Sequence, residues 1–157
     1  MSKSAKKIAI FPGSFDPITI GHESIVKRAL PLFDEIIIAI GVNSEKKSFF
    51  SLEKREGWIK QVFDGESRIK VKSYEGLTVD FCKRENAKYI LRGLRTSADF
   101  EFERAIAQMN KAMVDDIETV FILATSETSM ITSTIVRDII KNGGDAAQFV
   151  PKGIQLK

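Results

Sequence analysis

Apolar residues along the chain follow two alternating rhythms. Ile8-Ala9-Ile10-Phe11 is a short continuous run that ends at Pro12-Gly13, and Glu35-Ile36-Ile37-Ile38-Ala39-Ile40-Gly41-Val42 is a longer, β-branched one. Runs of this length with no polar face predict strands covered on both sides. Between them Ile25, Val26, Ala29 and Leu30 recur at helical spacing, so the first unit reads strand, turn, helix, strand. The alternation continues with a helix from about 51 to 63, a strand from 68 to 73, a helix from 78 to 85 and a strand from 88 to 91 that ends at Arg92-Gly93. A longer helix over roughly 98 to 113 carries Phe102, Ile106, Met109 and Met113 in one stripe, and a fifth strand follows at 119 to 123. The last helix, about 134 to 141, stops at Asn142-Gly143-Gly144, residues suited to the left-handed turn that closes a helix.

Five strands alternating with helices predict an α/β fold: one Rossmann-like open sheet of about five parallel strands with helices on both faces. No repeat, low-complexity segment or linker divides the chain, so residues 1–157 read as a single domain. That length buries roughly two-thirds of the unfolded surface, enough for a private core. Composition changes little: 43% hydrophobic and 29% charged residues exclude disordered and fibrous classes. Lys plus Arg is 24 and Asp plus Glu 21, and the difference of +3 suits anionic ligands without demanding nucleic acid. Eleven phenylalanines are not interleaved with basic residues, so no base-stacking platform is marked. The lone Cys82 cannot form an internal disulfide and reads as a buried thiol of a reducing compartment. The basic start Met1 to Lys7 is followed by an apolar run broken at Pro12-Gly13, and no run reaches the ~20 residues of a membrane span. A cytoplasmic protein with no membrane and no nucleic-acid partner is expected.

In open parallel sheets ligands bind beyond the carboxyl ends of the strands, where strand order reverses. After the first strand comes Phe11-Pro12-Gly13-Ser14-Phe15-Asp16-Pro17-Ile18-Thr19-Ile20-Gly21-His22. A glycine-bearing turn feeding a helix can offer backbone N–H groups and the helix dipole to a phosphate, with Ser14 and His22, the only histidine, as side-chain donors. The same residues also serve as plain turns and a surface helix cap. It is not a Walker loop, since no Gly-Lys-Ser or Gly-Lys-Thr follows, nor is it the dinucleotide fingerprint. Near the C-terminus Ser126, Thr128, Ser129, Thr132, Ser133 and Thr134 crowd a loop entering a helix, which suits a triphosphate tail; a helix cap with solvated neighbours is the plainer alternative. Arg92 and Arg95 at a strand end can offer forked donors to phosphate, with Gly93 permitting close backbone approach. Asp99 and Glu103 share a helix face, and the acids here also read as ordinary charge pairs with Arg95 and Arg104. Lys46 and Lys47 lie in the loop after the second strand.

These segments resemble a known family. Thr19-Ile20-Gly21-His22 is similar to the T-x-G-H form of the H-x-G-H signature of the nucleotidyltransferase superfamily, and Ile131-Thr132-Ser133-Thr134-Ile135-Val136-Arg137 resembles its second signature, I-S-S-T-x-x-R. Arg92-Gly93-Leu94-Arg95 through Asp99-Phe100-Glu101-Phe102-Glu103 resembles the R-G-L-R-x-x-x-D-[FY]-E-x-E segment of the phosphopantetheine adenylyltransferases, and Gly76-Leu77-Thr78-Val79-Asp80-Phe81 their G-L-x-x-[DN]-[FY] segment. The likeness runs from Ile8 to about Val150. Ser14 stands where Thr is frequent, Thr132 and Thr134 replace serines, Thr128 takes a place often held by an aromatic residue, and the C-terminal segment is shorter than in many relatives.

The resemblance implies adenylyl transfer from ATP to 4′-phosphopantetheine, giving dephospho-coenzyme A and pyrophosphate by in-line attack with no covalent enzyme intermediate. It implies catalytic roles for His22, Lys46 and Ser14, and acceptor binding by Ser14, Lys46, Thr78 and Arg92. ATP would be held by Ser14, Phe15, His22, Gly93, Leu94, Arg95, Glu103 and the loop Thr128, Ser129, Met130, Ile131, Thr132, Ser133, Thr134. No protein metal site is implied; Mg2+ is expected on the ATP phosphates. A homohexamer and feedback inhibition by coenzyme A are further implications. The rivals are another small-acceptor nucleotidyltransferase, using nicotinate mononucleotide or a glycerol phosphate, and a non-catalytic nucleotide-binding module.

Overall fold

The computed structural model describes residues 4–157. Its elements run β1 (Ile8–Gly13), α1 (Ile20–Ala29), β2 (Glu35–Gly41), α2 (Leu52–Val62), β3 (Ile69–Tyr74), α3 (Thr78–Arg84), β4 (Tyr89–Leu94), α4 (Ser97–Met113), β5 (Glu118–Leu123) and α5 (Ser133–Lys141). The five strands form one parallel sheet, as the strand-helix alternation predicts, and their order is β3-β2-β1-β4-β5. Of the basic stretch Met1 to Lys7, the first three residues lie outside the described ones. Among the described residues no helix is long and apolar enough to cross a membrane.

Strand alternation sorts the apolar side chains onto two faces. Ala9, Phe11, Ile36, Ile38, Ile40 and Leu91 pack with Ile25, Val26 and Ala29 of α1, Ile59 of α2 and Val136 of α5. Ile10, Ile37, Ala39 and Ile90 face the other way, onto Val79, Phe81 and Cys82 of α3. Cys82 is fully buried and unpaired, and burial pushes its thiol up to about 11, so it stays protonated and inert.

The inner strands β1 and β2 are covered on both faces, as their apolar runs predict, and the edge strands β3 and β5 are half-buried along much of their length. Two strands also run further than their apolar runs suggest. β1 continues through Pro12 and Gly13 because β2 pairs with it to the end, Pro12 opposite Ala39 and Gly13 opposite Ile40. β4 continues through Arg92-Gly93-Leu94 because β5 does the same for it. Between β1 and β4, however, pairing covers only Ala9 with Tyr89 and Ile10 with Ile90. Beyond that point the two central strands part, at the place where strand order reverses.

The apolar stripe of α4 is not in the core. Phe102 is 68% exposed and Met109 63%, with Ile106 and Met113 also open, and Leu123 at the end of β5 is 66% exposed. The one buried residue of α4 is a carboxylate, Glu103.

Candidate active site

Three cavities adjoin one another along the carboxyl ends of the strands, linked by residues of the β1 end. The first, about 240 Å³, is bounded by Pro12, Gly13, Tyr74, Thr78, Arg92, Glu103 and Asn110. The second, about 260 Å³, shares Pro12, Gly13 and Arg92 with it and adds Ser14, Thr19, His22, Gly93, Arg95, Thr128 and Ile131. The third, about 440 Å³, shares Ser14 with the second and includes Lys46, Lys47, Arg137 and Lys141.

His22 is fixed by the way α1 begins. Thr19 is the N-cap in an extended conformation, and the His22 N–H donates to Thr19 Oγ1 at 3.3 Å while the Thr19 N–H donates to His22 Nδ1 at 2.9 Å. This is a capping box with histidine in the place usually held by Glu or Gln. A backbone N–H can only donate, so Nδ1 carries no proton and the neutral ring keeps its hydrogen on Nε2. The ring packs edge-on against Phe15, with centroids 5.0 Å apart, and Phe11 lies beyond at 6.2 Å. Phe15 holds a left-handed backbone (φ 47°), unusual for a bulky residue, and is 2% exposed. Burial, and then the charges of Arg92 and Arg95, lower the His22 pKa to about 4. At neutral pH the ring is therefore an uncharged donor.

Arg92 occupies the gap where β1 and β4 part. Its Nη1 donates to the Pro12 carbonyl at 2.6 Å, while Nε and Nη2 make a forked pair with Glu103 at 2.9 and 2.6 Å. Three of the five N–H groups are thus committed, which leaves two for a ligand between the first and second cavities. Glu103, expected at the nucleotide, borders the cavity of Thr78 and Tyr74 and has both oxygens on Arg92. Asp99 pairs with Arg95 and Glu101 with Arg104, the ordinary charge-pair reading of these acids. A side chain on Gly93 would meet Ile25 Cγ1 at 3.1 Å, so its absence lets α1 lie close to the end of β4.

The hydroxyl-rich loop is tied mostly to itself. Thr132 caps α5 by accepting from the Ile135 N–H, Ser133 donates to the Pro17 carbonyl at 2.8 Å, and Thr134 accepts from Arg137 Nη2. Thr128 Oγ1 lies 3.1 Å from Thr125 Oγ1, and Ser129 donates to Ser126 O. Of this loop only Thr128 and Ile131 border the His22 cavity; Ser129, Met130, Thr132, Ser133 and Thr134 do not, and neither do Phe15 and Leu94. Lys46 is exposed in the third cavity beside Ser14. Thr78 faces the first cavity, its Oγ1 2.8 Å from the Tyr74 hydroxyl.

Comparison with known proteins fits this arrangement. The profile of the cytidylyltransferase-like family matches residues 10–139. Among solved structures, a putative nicotinate-nucleotide adenylyltransferase from Vibrio parahaemolyticus superposes with a TM-score of 0.66 at 19% identity, over 93% of this chain and 94% of that one. A bifunctional NMN adenylyltransferase/ADP ribose pyrophosphatase from Francisella tularensis gives 0.71 at 17% identity, over 93% of this chain and 45% of that one. Both likenesses concern the fold. Much nearer in sequence is the phosphopantetheine adenylyltransferase of Flavobacterium psychrophilum, 59% identical over 95% of this chain and 98% of the relative. The chain belongs to the phosphopantetheine adenylyltransferase family. A further member, from Bacteroides thetaiotaomicron, is 47% identical over 94% of this chain and 97% of its own.

Several residues that shape the site of this family member carry no chemical signal in the sequence. Asp16, 6% exposed, accepts from the Phe49 and Phe50 N–H groups at 2.8 Å each and so anchors the lysine loop. Arg55 is 4% exposed and donates to Ser14 O at 2.8 Å and Phe50 O at 3.1 Å. Tyr74 stacks on Phe81 at 4.7 Å and presents its hydroxyl to the first cavity. A Thr-x-x-His reciprocal cap was the one such arrangement open to reading from spacing alone.

The state of His22 is directly measurable. In an NMR titration its Cε1–H resonance should move with a midpoint near pH 4 and stay flat from pH 5.5 to 8. A midpoint near 6.5, the ordinary value, would show that the ring is not held as the Nε2–H donor.

Proposed function

We propose that this chain transfers the adenylyl group of ATP to 4′-phosphopantetheine, and that the three cavities divide the work. The carrying observation is Arg92, held by Pro12 and Glu103 with two N–H groups free, between a cavity that suits the acceptor's arm and the cavity of His22. Family membership supports the choice of acceptor.

An oxygen of the acceptor's terminal phosphate attacks the α-phosphorus of ATP. The new O–P bond forms as the bond from that phosphorus to the bridging oxygen breaks, and the electron pair leaves with pyrophosphate. The attacking phosphate is already an anion near neutral pH, so no general base is required and catalysis rests on placement and charge stabilisation. The neutral His22 Nε2–H donates to an equatorial oxygen of the α-phosphate. Ser14 and Lys46 bridge donor and acceptor, Arg92 holds the acceptor phosphate, and Gly93 to Arg95 with the Thr128 to Thr134 loop hold the nucleotide. Thr78 meets the pantetheine arm, and Glu103 acts through Arg92.

Among the described residues no group of three or more His, Cys, Asp or Glu could hold a metal, and the cavity of His22 is rich in donors to anions. In this reading Mg2+ travels on the ATP phosphates, where it neutralises charge. Coenzyme A contains the same pantetheine arm and competes for the first cavity in this reading. The enzyme works in the cytoplasm, in keeping with its buried, unpaired Cys82.

The exposed stripe of Phe102, Ile106, Met109 and Met113 supports assembly into the hexamer that the resemblance implies. Sedimentation equilibrium should give six times the 17.6 kDa chain mass. A Phe102→Glu, Met109→Glu variant should give smaller species; a wild-type chain that stays monomeric contradicts the assembly.

A pyrophosphate-release assay tests the function. It should respond to 4′-phosphopantetheine and not to nicotinate mononucleotide or glycerol phosphate. His22→Ala should lower turnover about a hundredfold or more with the fold intact, the usual cost of losing one preorganised donor. Lys46→Ala should impair both acceptor binding and rate. Near-normal turnover of His22→Ala, or an effect of Lys46→Ala on ATP affinity alone, would overturn the assigned roles.

A further inference from the structure

Behind the lysine loop and Ser14 lie two buried charged groups that the transfer step does not use. Arg55, near the start of α2, is 4% exposed and borders none of the three cavities. Among the described residues it forms no ion pair. A buried guanidinium with no carboxylate partner carries a desolvation cost, and packing alone would be served as well by an apolar side chain. What the guanidinium adds is direction. Its Nη1 donates to the Ser14 carbonyl at 2.8 Å and its Nε to the Phe50 carbonyl at 3.1 Å, so one rigid plane spans the end of β1 and the far end of the lysine loop.

Asp16 closes the same joint. Its two oxygens accept the Phe49 and Phe50 N–H groups, so the Phe50 backbone is held at its N–H by one buried charge and at its carbonyl by the other. The Phe50 ring, 7% exposed, packs edge-on against Trp58 of α2 with centroids 4.8 Å apart. The near end of the loop is fixed by the sheet, where the Val42 N–H donates to the Tyr74 carbonyl at 2.8 Å. Between these ends the Lys46 N–H donates to the Asn43 carbonyl at 3.1 Å, which turns the chain. The Lys46 side chain is exposed and forms no ion pair among the described residues, so the backbone of the loop decides where its ammonium can reach.

We infer that Arg55 is a positioning residue for the transfer step: with Asp16 it locks Ser14 and the lysine loop into one unit, so that the Ser14 hydroxyl and the Lys46 ammonium meet the substrates at a set separation. This inference rests on the roles given to Ser14 and Lys46 in the adenylyl-transfer reading above. Both groups must be in place at once, and a misplacement of about 1 Å can cost on the order of a hundredfold in rate. Arg55→Lys replaces the planar fork with a compact ammonium on a flexible stem, so the Ser14 and Phe50 carbonyls are no longer held at a fixed distance. Asp16→Asn turns one of two acceptors into a donor, and one N–H of the loop then loses its partner. Either change loosens the unit from a different side.

A double-mutant cycle separates positioning from plain support of the fold. Wild type, Arg55→Lys, Lys46→Ala and the double variant would be compared in the pyrophosphate-release assay. Arg55→Lys should lower kcat about tenfold or more while the KM for ATP stays within about threefold. In a chain that already carries Lys46→Ala the same change should cost less than about threefold, because a group that it positions is gone. An equal cost on both backgrounds, or a kcat within about twofold of wild type, overturns the inference. If Arg55→Lys does not fold, Asp16→Asn takes its place in the cycle with the same expectations. If wild type releases no pyrophosphate from ATP and 4′-phosphopantetheine, the adenylyl-transfer reading fails, and trypsin tests the lock by itself. Cleavage after Lys46 and Lys47 should then be about tenfold faster in Arg55→Lys than in wild type, with cleavage elsewhere unchanged. An unchanged rate at those two sites, or a rise shared by the whole chain, refutes the lock.

Discussion

The site depends on a break in one ladder. β1 and β4 are hydrogen-bonded only as far as Ile10 and Ile90, and Pro12, which has no N–H to give, stands just past the break. Its carbonyl accepts instead from Arg92, whose remaining donors reach Glu103 on α4. One guanidinium thereby spans the opening between the two central strands and becomes a wall common to two cavities. The reversal of strand order makes the opening, and the ion pair sets its width and its charge.

Around this opening the fold places fixed donors and little that can act as a base. The capping box of α1 immobilises the His22 ring and dictates its tautomer, while burial and two neighbouring arginines keep it uncharged. A neutral donor avoids adding a titrating charge to a site that already holds several cations. Asp16 and Arg55, both buried, give their polar atoms to the backbone of the lysine loop and of Ser14, so the third cavity is framed from inside the protein. Adenylyl transfer between two phosphates asks for this division: the reactants bring the nucleophile and the leaving group, and the protein brings position and positive charge.

Much of the fold was legible because the strands bury what they carry. The isoleucine run of β2 and the helical spacing of Ile25, Val26 and Ala29 have one economical reading, and the structure follows it. The limits of β1 and β4 were not legible, since Pro12-Gly13 and Arg92-Gly93 look like stops and become strand only because β2 and β5 continue alongside. The stripe of α4 carries a core pattern and is exposed, because periodicity records an apolar face without saying what covers it. In the site, His22, Ser14, Arg92 and Arg95 were legible from motif and strand end. The partnership of Arg92 with Glu103 was not, because residues eleven apart meet only once β4 and α4 have packed. The serine and threonine cluster stays open to two readings from sequence, because hydroxyls at a helix start bind the local backbone as readily as a ligand, and here several of them make such local bonds.

In the proposed division of the site, Glu103 acts through Arg92 at the acceptor and not on the nucleotide. Steady-state kinetics of Glu103→Gln, with each substrate varied in turn, tests this most directly. The KM for 4′-phosphopantetheine should rise about tenfold or more as the guanidinium loses its charged partner, while the KM for ATP moves by less than about threefold. A rise confined to ATP would place Glu103 on the nucleotide and contradict the account.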